Sequence, residues 1–172
     1  MPLRALPLAL SLPLLAGCPG SPDGDVPSVP EAEYCSAPDG QPNGERALEI
    51  GALGPHGFEA WSDGSEVTLE TGGQGGTMVV VSLRVPAQAS DGDEACWVVT
   101  LDNEVSGSGA GDIGDLKSAY VFQRQGEHME VDGLFDLLGY GEAGLSDQVL
   151  TLSAAVNAEA FGAEHTVSVT LR

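Results

Sequence analysis

What most constrains this chain is a period-two alternation of apolar side chains in short stretches between turn-forming residues. In residues 77–85 (TMVVVSLRV), Val79, Val81, Leu83 and Val85 fall on one side of an extended backbone. The same period groups Trp97, Val99 and Leu101 in residues 96–101, and Leu150, Leu152, Ala154 and Val156 in residues 149–156. It groups Val167, Val169 and Leu171 in residues 165–171. Shorter strands are expected at residues 47–50, 58–61, 66–71, 118–123 and 129–134. Asp63-Gly64, residues 72–76 (GGQGG), Asp91-Gly92 and residues 107–111 (GSGAG) separate them as turns. Only residues 135–138 suggest a helical turn. Strands about ten residues apart, apolar on one face and Ser, Thr or acidic on the other, predict an all-β domain. The expected form is a single antiparallel immunoglobulin-like β-sandwich of about seven to nine strands.

The N-terminus has a different character. Arg4 is the only charge in residues 1–18, and residues 5–17 form a run without charge. Such a run is too short for a bilayer core of about 30 Å, which takes roughly 20 helical residues. It fits the apolar region of a secretory signal. The run ends in Leu15-Ala16-Gly17-Cys18, which resembles the lipobox of bacterial lipoproteins. That resemblance implies residues 1–17 as signal peptide, cleavage before Cys18 and a diacylglycerol on its sulfur. At about 0.8 kcal/mol per buried CH₂, two or more acyl chains hold a protein to a membrane almost permanently. Pro19 stands where an aspartate would favour inner-membrane retention, so the resemblance implies the outer membrane of a Gram-negative cell.

Residues 18–44 read as a lipid-anchored linker. Residues 19–44 hold six of the eleven prolines and five acids with no base. Little there is apolar, which describes an extended, disordered tether. From residue 45 to 172 only Pro55 and Pro86 remain, and this stretch is the expected β domain. The chain carries 26 acidic and 6 basic residues, a net charge of −20, and loss of Arg4 with the signal makes it −21. Nucleic-acid binding through basic patches is excluded, because neutralising phosphates takes clustered Lys and Arg. Electrostatic docking on anionic lipid is disfavoured for the same reason.

Within the domain, Leu48-Glu49-Ile50-Gly51, Phe58, Asp63-Gly64, Val67 and the glycine–glutamine–glycine turn leading into Met78–Val85 resemble uncharacterised lipoproteins of GC-rich Gram-negative bacteria. The likeness covers about 40 residues. It implies a lipoprotein with a sandwich domain and no particular activity.

With Cys18 assigned to lipid, Cys35 and Cys96 remain, and export to an oxidising compartment predicts that they pair. Cys96 alternates with Trp97, so the bridge should fasten the tether to the outer face of a strand.

No constellation for catalysis stands out. There is no Gly-x-Ser-x-Gly elbow, and the glycine loop at residues 72–76 lacks the Lys-Ser/Thr of a phosphate loop. His56, His128 and His165 are dispersed, without zinc-ligand spacing; His128 and Glu130 would share a strand face. Asp91-Gly92-Asp93-Glu94, Asp112 with Asp115, and Asp132 with Asp136 could offer oxygens to Ca²⁺, though none follows the EF-hand pattern. Neither a catalytic residue nor a cofactor or metal site is therefore assigned. The expected function is a non-enzymatic, membrane-anchored lipoprotein presenting its domain to an envelope protein or glycan. The alternative is a Ca²⁺- or carbohydrate-binding surface module, for which Trp61, Tyr120 and Tyr140 are the available aromatics.

Overall fold

The computed structural model describes residues 43–106, 116–140 and 144–172. The first strands, β1 (Glu49–Gly54) and β2 (Gly57–Ala60), form a hairpin around Pro55-His56. Gly57 closes the turn at φ 108°, a backbone region that costs other residues strain. Next come β3 (Glu66–Val67), β4 (Glu70–Thr71) and the eleven-residue β5 (Gly76–Pro86). A 3₁₀ turn at Ala89–Asp91 leads to β6 (Glu94–Val105), followed by β7 (Leu116–Gln125) and β8 (His128–Tyr140). The chain ends with β9 (Val149–Asn157) and β10 (Gly162–Leu171).

The strands pair in the order β2-β1-β5-β8-β7-β6-β9-β10-β3, with β4 beside β5. This is one curled sheet in the form of a half-barrel, all-β as expected. Several details differ from the sequence reading. Among the described residues ten strands form rather than about seven to nine, because residues 66–71 divide into β3 and β4. The sheet is also mixed, not purely antiparallel, since β10 and β3 run parallel with Thr170 opposite Glu66 and Leu171 opposite Val67. Pairing that is continuous from β2 to β3 is not the two-sheet arrangement of an immunoglobulin-like sandwich. Residues 135–138 lie in β8 rather than in a helical turn, as alternation carries through them: Leu134 and Leu138 are buried and Phe135 is exposed.

The curl follows from the sequence pattern. Val79, Val81, Leu83 and Val85 of β5 point inward and are fully buried, as are Val99, Leu101, Leu150, Leu152 and Val169 from the opposite side. They join one apolar cluster. A flat sheet would leave this face in water, and curling buries it at about 25 cal/mol per Å².

The margins of the curled sheet are tied at two places. At one end Glu45 bridges Gly162 in parallel; the Gly162 N–H donates to the Gly44 carbonyl (2.8 Å) and the Arg46 N–H to the Gly162 carbonyl (3.0 Å). At the other, the strap of residues 66–71 bonds β10 through β3 and β5 through β4, and so carries the chain between margins. Arg172 fastens this strap through Glu66 (2.8 Å) and also meets Asp147.

Arg46 completes the first tie. Its guanidinium donates twice to Asp91 (2.7 and 3.0 Å) and lies 3.9 Å from the Phe161 ring centroid. Trp97 stacks edge-on against Phe161 at 4.8 Å and tilts against Phe122 at 4.7 Å. Asp91 also accepts from the Gln88 N–H (2.6 Å), while Arg124 donates to the Gln88 and Gly92 carbonyls (both 2.7 Å). Burial alone would raise the Asp91 pKa. The bonds from Arg46 and Gln88 and the charges of Arg46 and Arg124 hold it below the usual carboxylate range instead.

The side chains of Arg46 and Asp91 are 6% and 8% exposed, against 45% and 65% for Arg172 and Glu66. Removing one member of a buried pair leaves the other uncompensated. Asp91→Ala is therefore expected to lower unfolding free energy in urea by about 2–4 kcal/mol, and Glu66→Gln by less than about 1 kcal/mol.

Candidate functional site

Cys18 and Cys35 lie outside the described residues, as do Asp112 and Asp115. Cys96 is exposed on the outer face of β6, opposite Val121 of β7, while its neighbour Trp97 is buried inward. Beside it on the outer face, Val98 is only 6% exposed yet is not part of the core cluster.

The carboxylates of these groups that lie among the described residues do not gather into a cation site. Asp91 is committed to Arg46. Asp132 is exposed whereas Asp136, four residues on, is buried on the inner side of β8, so the sheet separates them. His128 and Glu130 sit opposite Pro86 and Arg84 of β5. Among the described residues no group of three or more His, Cys, Asp or Glu side chains is placed to hold a metal ion. Trp61 and Tyr120 pack against the core rather than forming an exposed platform for a sugar ring.

Two features were not singled out in the sequence. The first is a polar pair inside the half-barrel. Asp136, at 3% exposure, accepts a hydrogen bond from the Asn103 side-chain amide of β6 (2.9 Å). Its other oxygen, the Asn103 side-chain oxygen and the Thr77 hydroxyl have no hydrogen-bond partner. Burial pushes the Asp136 pKa up to about 6; Asn103 works against this and the Asp102 charge adds to it. Protonated on its free oxygen, Asp136 has a proton to offer the Asn103 oxygen, converting one hydrogen bond into a two-bond acid–amide ring. The signal was present: Asp136 interrupts the inward series Leu134, Asp136, Leu138.

The second feature is a groove of about 530 Å³ on the surface. Val121, Gln123 and Gln125 of β7 and Leu53, Gly57 and Phe58 of the β1–β2 hairpin line it, together with Ser82, Glu130, Val131 and Asp132. Leu53 and Val121 are 56% and 46% exposed. Arg84 lies over the Phe58 ring at 4.4 Å but is engaged by Glu49 (2.6 Å), leaving Glu130 and Asp132 to set the charge of the groove.

A carboxyl whose pKa rises on folding stabilises the fold when protonated. That stability is complete below about pH 4 and is lost as pH rises through about 6. The expected loss is about 2–3 kcal/mol. Asp136→Asn keeps an amide donor facing Asn103 without a charge. It is expected to raise the melting temperature at pH 8 and flatten the slope between pH 4 and 7, read by thermal unfolding across that range.

Compared with protein-family models, with curated proteins and with solved structures, the chain finds no match.

Proposed function

We propose that this chain is a non-enzymatic lipoprotein of the bacterial envelope, anchored in the outer membrane through Cys18 and presenting its β domain as a binding module. The observation that carries the reading is Leu15-Ala16-Gly17-Cys18 behind an uncharged run too short to span a bilayer. The proline-rich, acidic stretch of residues 19–44 is suited to hold a domain away from an anionic surface. A curled sheet with a groove on its surface suits recognition.

Cys35 pairs with Cys96 in this proposal, fixing the end of the tether on the outer face of β6. Its support is the outward, exposed position of Cys96 and the covered position of Val98 next to it. A bridge enclosing about 60 residues is worth roughly 4 kcal/mol in the loop-entropy treatment, an upper-side figure.

Growth with an alkyne-bearing palmitate is expected to label the protein, and Cys18→Ser to abolish labelling; an unlabelled wild-type protein overturns the anchoring. Thiol titration of the mature protein is expected to find no reactive thiol before reduction and both Cys35 and Cys96 after it. Cys35→Ala is expected to lower stability by up to about 4 kcal/mol.

A further inference from the structure

We propose that the groove between β7 and the β1–β2 hairpin binds an extended, lysine- or arginine-bearing segment of a partner protein, which adds as a strand to the free edge of β7. The inference deepens the binding-module reading and rests on it.

The edge comes from where pairing stops. β7 and β8 are joined by a tight hairpin, yet they pair over only three positions, Gln123 to Gln125 with His128 to Glu130. From Leu116 to Phe122, β7 pairs with β6 alone among the described residues. Every second residue of that stretch therefore turns its N–H and C=O away from β6, and no strand among the described residues receives them. A peptide lying along such an edge takes affinity from main-chain bonds and selectivity from alternate side chains.

The groove supplies the selectivity. Val121, at the end of the free stretch, and Leu53, across from it, offer half-exposed apolar surface. Glu130 and Asp132 supply negative charge, and Arg84, a cation beside them, is already paired with Glu49. Alternating apolar and basic side chains complement this lining. Two other occupants fit poorly. A second copy would set one acidic groove against another in a chain of net charge −20. The chain's own residues 19–44 hold five acids, no base and six prolines, which have no N–H to donate.

The test uses the purified full chain, so failure to bind leaves Cys18 acylation untouched. The probe is a fluorescent capped heptapeptide, Lys-Val-Lys-Val-Lys-Val-Lys, followed by anisotropy. Saturable one-to-one binding is expected, weakened roughly tenfold by Val121→Lys or by Leu53→Ser. Weakening is also expected on raising salt from about 50 to 300 mM. Methylating alternate backbone nitrogens of the peptide, which keeps its charge but removes strand donors, is expected to abolish binding. No binding, equal binding of the methylated peptide or of the glutamate–valine analogue, or indifference to both groove variants overturns the proposal. So does a dimer that Val121→Lys converts to monomer, which would make the second copy the occupant. The peptide comparisons run on unaltered protein, so they decide the matter even if a variant folds poorly.

Discussion

Everything in this domain depends on closing a strongly apolar sheet face upon itself. Half of the residues in β5, β6, β9 and β10 cannot stay in water, and no α-helix is present among the described residues to cover them. The sheet must be its own lid. Curling brings the two margins near each other, and they are then held by a few directional contacts: Glu45 with Gly162 at one end, and the strap of residues 66–71 at the other. Apolar burial supplies most of the driving force. The margin ties decide which strands meet.

Arg46 shows how one polar residue can serve an apolar purpose. Its charge is neutralised by Asp91, its flat face covers Phe161, and its backbone N–H joins the Gly162 bridge. Arginine suits this place because a planar guanidinium can pair with a carboxylate in its plane and stack on a ring with its face. Asp136 is the contrary case: a carboxyl inside the barrel with one bond and one idle oxygen, a cost retained within an otherwise apolar wall.

The strands were legible because period two survives in one dimension. Val79 to Val85, Trp97 to Leu101 and Val167 to Leu171 occupy the faces their spacing assigns. What escaped was long-range or masked by local composition. Nothing in Glu66-Val67 announces a parallel partner at Thr170-Leu171, since that pairing is chosen by where the curl delivers the C-terminus. Residues 135–138 looked helical because glycines flank a compact apolar run, but β5 alongside imposes an extended backbone. The groove could not be foreseen at all. It depends on β7 and β8 parting after three pairs, a choice made by their separate partners β6 and β5.

The position of the first margin tie has a mechanical consequence. With the proposed Cys35–Cys96 bridge reduced, Arg46 and Glu45 are the first residues on the domain side of the proline-rich stretch, so tension applied from the N-terminal side then reaches them before any strand of the sheet. The load falls on the Gly44 and Arg46 backbone bonds to Gly162 and on the two-pronged grip of Asp91, with β1 behind them. Those bonds would yield in sequence rather than all at once, and their loss would open one seam while the strap of residues 66–71 still held the opposite end. The tie thus works as a fuse: it sets the pull at which the barrel begins to gape, and it leaves the β5–β8 and β9–β10 pairs unstrained until it has gone.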